Sequence, residues 1–184
     1  MSDELIVRQA SPTLAGLKTG SLFTVPYRTE AELTADVAEM NRRLAPKGVQ
    51  LRLLRLRRRA LLYLYRPGYL CRDFSRADVA QLLRQFGYAV EDPERCLELL
   101  GRRLESGEDF PHEIGLFLGY PAEDVRGFIE GRTEGCKAVG AWKVYGDVDA
   151  AQKRFTQFEK CTAAYCALFQ RGSSIERLTV KAPC

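Results

Sequence analysis

The stretch VQLRLLRLRRRALLYLYRP, residues 49–67, decides the fold class because it holds two consecutive runs of strand-forming residues. In the first run, 49–56, leucines are interspersed with arginines, and the second run, 60–67, is almost continuously apolar. Apolar runs of this length, bounded by charged residues, are typical of β-strands. We therefore predict a hairpin, or two adjacent strands, joined by the arginines between the runs.

Helix signals surround this pair of strands. A short helix is expected at about residues 3–10, and SPTLAGLKTGS (11–21) reads as a loop leading into a strand, LFTVPY (22–27). Thr29 and Glu32 then form a capping box that opens an amphipathic helix, which the sequence Pro46-Lys47-Gly48 ends. The apolar stripe of that helix is predicted to be Leu33, Val37, Met40 and Leu44.

The second half of the chain continues the helical pattern. Ser75 with Asp78, and Asp92 before Pro93, predict the starts of two more helices. Asp147 is predicted to cap the longest helix, whose apolar residues recur every three or four positions until Gly172. Two further strands are expected, AVGAWKVYG (138–146) and IERLTV (175–180).

These elements predict an α+β fold in one domain spanning 1–184. We expect a mostly antiparallel sheet of about 4–5 strands packed with several helices, among them a short helix-turn-helix-like pair and a long C-terminal helix. With 46% hydrophobic and 28% charged residues, the composition is that of a folded chain and argues against disorder. The N-terminus resembles no signal peptide and no apolar run is membrane-length, so a cytoplasmic protein without membrane contact is expected.

The six cysteines form no CxxC motif, which indicates separate reduced thiols and no disulfide framework. The net charge of +4 permits an anionic partner without requiring one. There is no HExxH motif, no nucleophile elbow and no Walker-type loop, so whether the protein is an enzyme stays open.

The segment FPHEIGLFLGYP (110–121) contains the single histidine, His112. Pro111 suits the first turn of a helix, Gly119 suits its end, and Pro121 suits the start of a second helix. Gly115, Gly119 and Val125 have the spacing of a helix-turn-helix, but Glu123 and Asp124 at the start of the second helix would be repelled by DNA phosphates. His112, beside Glu113, is either a general base, a metal ligand or a haem ligand, or a structural residue at the helix start.

Three other groups of residues are candidates for binding. Lys143 and Tyr145 are predicted on one face of their strand, opposite Trp142 and Val144, and Cys136 precedes that strand. Lys18 lies in the loop before the first strand and is a candidate anion contact. The basic stretch 52–59 is either a solvated hairpin end that protects a sheet edge or a phosphate-binding surface. Its candidate nucleic-acid contacts are Arg52, Arg55, Arg57, Arg58 and Arg59.

Four segments together, SPTLAGLKTGSLF, ALLYLYRP, FPHEIGLFLGYPAEDVRGFI and CKAVGAWKVYGD, resemble the DUF3793 family of uncharacterised bacterial proteins, found mainly in anaerobes. The resemblance covers most of the chain, and Gln9 and Ala10 depart from a His-Cys-like pair expected in the family. It implies no established reaction. Genes for flavodoxin and ferrous-iron uptake near those of the family suggest an iron or redox role and flavodoxin as a redox partner.

Our leading hypothesis is a protein that binds a small anionic ligand or a redox cofactor, either haem or an iron species. Its predicted ligand-binding residues are His112, Glu113, Lys143, Tyr145, Lys18 and Cys136. The alternative is a nucleic-acid or protein interaction module that uses Arg52–Arg59.

Overall fold

The computed structural model describes residues 1–106, 110–131 and 135–181. The described chain divides into two compact units, one formed by Met1–Leu70 together with the segment from Lys160 onward, the other by Cys71–Glu159. The expectation of one domain over 1–184 stays a prediction.

The first unit is built on an antiparallel sheet with strand order β1-β3-β2. Its strands are β1 (Gly20–Val25), β2 (Gln50–Leu56) and β3 (Ala60–Tyr65), and β2 and β3 form the hairpin that residues 49–67 predict. The register places Leu62 of β3 opposite Phe23 on one side and opposite Leu53 on the other. All six residues of β3 are buried, which explains why this run is apolar without alternation.

Two helices pack on this sheet, α1 (Asp3–Leu14) on β1 and α2 (Glu30–Leu44) on β2. The Thr29 side chain accepts a hydrogen bond from the Glu32 backbone N–H, and Gly48 has φ 74°, so both predicted ends of α2 are confirmed. Arg66 is fully buried at the end of β3 and donates to the carbonyls of Thr13, Leu14 and Val180. It thereby satisfies the last carbonyls of α1.

The second unit contains the helices α4 (Ala77–Gln85), α5 (Pro93–Ser106), α6 (Ile114–Phe117) and α7 (Ala122–Ile129). It also contains a two-stranded antiparallel ribbon of β4 (Ala138–Val139) and β5 (Lys143–Val144). Phe117 is fully buried here, with Phe74 and Tyr88 against its ring at centroid distances of 5.1 and 5.4 Å. The helix α3 (Pro67–Phe74) and the long helix α8 (Val148–Gln170) each extend from one unit into the other, and α9 (Ile175–Leu178) belongs to the first unit.

The α+β class and the long helix near the C-terminus are confirmed, whereas the single sheet of 4–5 strands is wrong. Within the described residues there are a three-stranded sheet and a separate two-stranded ribbon. The predicted strand 138–146 is a hairpin in itself, because the chain reverses between Val139 and Lys143. Residues 175–180, predicted as a strand, contain α9: Ser174 caps it, and Ile175 and Leu178 are buried three residues apart.

Two helix boundaries also differ from the prediction. Helix α1 continues through Pro12 to Leu14, because burial of Ile6, Ala10 and Leu14 four residues apart stabilises the last turn. The Ser75–Asp78 capping box does not form. The Ser75 hydroxyl donates to the Arg72 carbonyl at the end of α3, a helix that the sequence reading missed, and Asp78 pairs with Arg76.

None of the helices in the described ranges combines the length and the apolar character that a membrane crossing needs. The five cysteines that the structure describes are free thiols, as predicted.

Candidate functional site

A cavity of about 300 Å³ lies inside the second unit, between the α6–α7 segment and the ribbon. We call it the aromatic cavity. It is lined by His112, Ile114, Gly115, Leu118, Tyr120, Asp124, Val125, Phe128, Val139, Gly140, Trp142 and Lys143. Most of this lining is apolar, and two of the predicted site residues, His112 and Lys143, are part of it.

Glycine allows α6 and α7 to approach each other at the cavity wall. Gly119 has φ 77°, which ends α6 and turns the chain into α7. A Cβ atom on Gly115 would lie 2.8 Å from a methyl group of Val125, so the two helices touch at a position where a side chain would collide. The helix-turn-helix-like spacing of Gly115, Gly119 and Val125 therefore reflects packing within the pair.

Asp124 joins α7 to the ribbon from inside the cavity wall. Its buried carboxylate accepts hydrogen bonds from the Trp142 indole N–H at 2.7 Å and from the backbone N–H groups of Tyr145 and Gly146 at 2.7 and 2.8 Å. A carboxylate that accepts three N–H bonds holds its neighbours firmly, because hydrogen bonds to a charged group are the strong ones. The sequence indicated Asp124 only as a carboxylate that DNA phosphates would repel, so its role in the site was missed.

Aromatic rings form the far wall of the cavity. The Trp142 ring stacks on Tyr120 at a centroid distance of 4.8 Å and meets the edge of Phe155 from α8 at 4.5 Å. A Cβ atom on Gly140 would lie 2.3 Å from the Phe155 ring, so glycine permits this close approach. Trp142 and Val144 are buried while Lys143 is exposed, as the strand pattern predicts.

The polar edge of the cavity is formed by His112 and Lys143 around the ring of Phe128. The imidazole is exposed and meets the edge of Phe128 at a centroid distance of 4.8 Å. The Lys143 ammonium lies over the same ring, 5.1 Å from its centroid. The structure thus brings a histidine and a lysine that are 31 positions apart to one cavity edge.

The helix that was predicted to begin at Pro111 begins at Ile114, so His112 precedes α6 rather than lying in its first turn. The neighbouring Glu113 does not line the cavity. Its buried carboxylate accepts a hydrogen bond from the Tyr88 hydroxyl at 2.8 Å and pairs with Arg103 at 3.2 Å. Burial, and then the negative charge of Glu113, raise the pKa of Tyr88 above its usual range. Glu113 therefore holds Tyr88 and Arg103 in place within the second unit and does not contribute to the cavity.

Tyr145 and Cys136 do not line the cavity either. A Cβ atom on Gly127 would lie 2.5 Å from the Tyr145 ring, so this ring packs directly against α7. The Cys136 thiol donates to the Ala138 carbonyl at 3.4 Å. Both residues support the ribbon that carries Lys143.

Lys18 belongs to the first unit, in the loop between α1 and β1. It is half-buried, and burial lowers its pKa to about 8 because the charged form is desolvated. The candidate arginines belong to the same unit. Arg52 and Arg55 are half-buried on β2, whereas Arg57, Arg58 and Arg59 are exposed in the turn before β3. Arg59 donates to the side chain and the carbonyl of Thr24.

Within the part of the chain that the structure describes, no three His, Cys, Asp or Glu side chains are grouped so that they could hold a metal ion. Sequence reasoning named two residues at the cavity and missed its apolar walls. Trp142 could have been identified from its predicted position on the strand face opposite Lys143. Phe128 could have been identified from its helical spacing to Val125. No local pattern links Asp124 to Trp142.

The comparison with protein families matches residues 6–179 to a family described as a protein of unknown function, DUF3793. The comparisons with curated proteins and with solved structures found no match. The matched range covers almost the whole chain, from α1 to the residue after α9, and includes every residue of the aromatic cavity. The chain therefore belongs to the DUF3793 family.

Proposed function

We propose that the chain binds a small, largely apolar ligand with negative charge in the aromatic cavity. The observation that carries this proposal is the joining of an apolar cavity of about 300 Å³ to an exposed ammonium and an imidazole at its edge. Ligand sites in proteins are concave and mostly apolar, with a few polar groups that orient the ligand.

The apolar lining supports binding of a hydrophobic body. Ile114, Leu118, Val125 and the rings of Tyr120 and Trp142 offer no charged group to a ligand that enters between them. Val139 at the cavity is 73% exposed, which is unusual for a valine in a strand and leaves apolar surface open to a ligand.

The two groups at the cavity edge support binding of an anion. Lys143 carries its charge over the face of Phe128, and His112 approaches the edge of the same ring, so both polar groups are oriented by one side chain. Positioned donors lose less entropy on binding than freely moving ones. The volume lies at the lower end of the range for ligand pockets, which favours a ligand of one or two rings.

The experiment uses 8-anilino-1-naphthalenesulfonate, an aromatic monoanion, as the probe. Trp142 is the single tryptophan of the chain and lines the cavity, so quenching of its fluorescence detects binding, and the Lys143 variant tests whether the probe binds in the cavity. We expect saturable binding of one probe per chain, and Lys143→Met should weaken it about tenfold through loss of a charged contact.

The matched control is Lys153→Met, which removes the same charge from an exposed position on α8. It should leave probe binding unchanged. Near-ultraviolet circular dichroism should confirm native packing in each variant, because the probe also binds loosely packed states. Unsaturable binding, or equal affinities for wild type and Lys143→Met, would contradict the proposal.

A haem or iron species stays a separate prediction, with the exposed His112 as its candidate ligand. Anaerobic purification followed by a visible spectrum and metal analysis tests it. Bound iron or a Soret band that His112→Ala abolishes would support the prediction, and a colourless, metal-free protein would contradict it.

The alternative function, contact with nucleic acid or a partner protein through Arg52–Arg59, is supported by three consecutive exposed arginines at the β2–β3 turn. It predicts binding to DNA or RNA that weakens steeply with salt and is lost when Arg57 and Arg58 are replaced together. Absence of binding at low salt would dismiss the nucleic-acid form of this alternative.

A further inference from the structure

We infer that the ligand of the aromatic cavity is a planar aromatic monoanion, such as an aromatic carboxylate, and not a phosphorylated molecule. This inference rests on the proposed function and names the chemical class of its ligand. Two features of the cavity carry it: the balance of charge along its walls and the arrangement of its rings.

The charges along the cavity oppose each other. Lys143 contributes one positive charge at the edge, while the Asp124 carboxylate contributes a negative charge within the wall. Among the described residues, the hydrogen bonds to Asp124 come from three uncharged N–H groups, which hold its charge in place. A monoanion can pair with Lys143, whereas the second charge of a phosphate adds repulsion from the Asp124 carboxylate in the same lining.

Burial of Asp124 strengthens its repulsion of a second negative charge on the ligand. Asp124 is 3% exposed, so water screens its charge poorly. Among the described residues that line the cavity, His112 is the other basic one, and its side chain is exposed to solvent at the cavity edge. Like charges in a site of low dielectric disfavour binding, which is how proteins reject ligands of the wrong charge.

The rings of the cavity favour a flat ligand. Tyr120 and Trp142 are stacked with an interplanar angle of 30°, and Phe128 lies at the edge with Lys143 over its face. Aromatic rings prefer offset-stacked or edge-to-face contacts, and such contacts add to the gain from apolar burial. A flexible aliphatic chain would fill the same volume but lose more conformational entropy on binding.

The test is a panel of matched probes measured by isothermal titration calorimetry at pH 8. 2-Naphthyl sulfate and 2-naphthyl phosphate have nearly the same shape, but the first is a monoanion and the second is a dianion. 2-Naphthoate supplies the carboxylate, 2-naphthylmethanol is the neutral equivalent, and octanoate is an aliphatic monoanion. We expect the sulfate and 2-naphthoate to bind about tenfold more tightly than the other three probes.

Two variants assign the selectivity to its residues. Lys143→Met should remove the advantage of 2-naphthoate over 2-naphthylmethanol. Asp124→Asn should reduce the preference for sulfate over phosphate while leaving the preference for a ring over octanoate. If circular dichroism shows that Asp124→Asn is unfolded, the affinities of the wild-type protein for 2-naphthyl sulfate and 2-naphthyl phosphate still decide the charge of the ligand.

If 2-naphthyl phosphate binds as tightly as 2-naphthyl sulfate, or more tightly, the ligand is not restricted to monoanions. If octanoate binds as tightly as 2-naphthoate, the ligand does not need an aromatic ring. Either result would overturn the inference. If the sulfonate probe binds but 2-naphthyl phosphate or octanoate binds as tightly as 2-naphthoate, the inferred ligand class is wrong while the proposed function stands. If neither the sulfonate probe nor any of the five panel probes binds, the proposed function itself fails.

Discussion

Asp124 shows how much a single side chain contributes to the second unit. It is the acceptor for the indole of Trp142 and for two successive backbone N–H groups after β5, and so it connects α7 to the ribbon. The ribbon has only two residues in each strand, too few to be stable without such support.

Replacing Asp124 with alanine should therefore destabilise the protein by about 3 kcal/mol, because one buried and two partly buried donors would lose their acceptor. Urea unfolding followed by Trp142 fluorescence measures the change. The control is Glu159→Ala, at an exposed position on α8, with an expected change within about 0.5 kcal/mol. Equal unfolding midpoints for the two variants would show that Asp124 does not hold the ribbon.

At the scale of elements, close packing at glycines positions α6, α7 and the ribbon. Gly127 is buried on α7, and the Tyr145 ring that follows β5 lies against it. Helix propensity alone favours alanine over glycine, so the close approach of Tyr145 is the reason for a glycine at this position.

Gly127→Ala should lower the melting temperature, since its Cβ would lie 2.5 Å from the Tyr145 ring and force the ribbon outward. We expect a loss of about 1–3 kcal/mol, measured by thermal circular dichroism. Gly68→Ala is the matched control. It is an exposed helical glycine with no atom within 4 Å of the new Cβ, and it should be neutral or slightly stabilising. Destabilisation by both variants to the same extent would contradict the packing argument.

The elements also show where sequence patterns are sufficient. Thr29 caps α2 and Asp147 accepts from Ala150 at the start of α8, both as predicted, because a capping hydrogen bond spans three residues. The pattern misled at residues 175–180, where a short apolar run fits a strand and a helical turn equally well. The cap at Ser174 favours the helix there.

For the molecule as a whole, contacts distant in sequence close the first unit. Arg43 of α2 pairs with Asp3 of α1 and with Glu176 of α9, which connects three helices separated by 40 and 133 positions. The hydrogen bond from Arg43 lowers the pKa of Glu176 from 4.5 to about 2.

This lowered pKa predicts a loss of stability in acid. A carboxyl group whose pKa is lower in the folded state stabilises it fully above about pH 4.5, and the contribution disappears as the pH falls towards 2. Glu176→Gln should cost about 1 kcal/mol at pH 7, because the pair is partly exposed and screened. It should also flatten the decline in stability between pH 4.5 and 2, measured by urea unfolding.

The control is Glu4→Gln, which removes an exposed pair with Arg8 on α1 and should change little. An equally steep acid decline in wild type and Glu176→Gln would show that Glu176 does not contribute.

The sequence by itself determined the α+β class, the β2–β3 hairpin, the capped start of α2 and the glycine stops, because these depend on interactions between near neighbours. It also identified His112 and Lys143 as candidates. Only the tertiary structure decided that these two residues share a cavity edge, that Glu113 faces Arg103 and Tyr88, and that Asp124 holds the ribbon. Those outcomes depend on which faces pack together over distances of 10 to 31 positions, and local residue patterns carry no information about that packing.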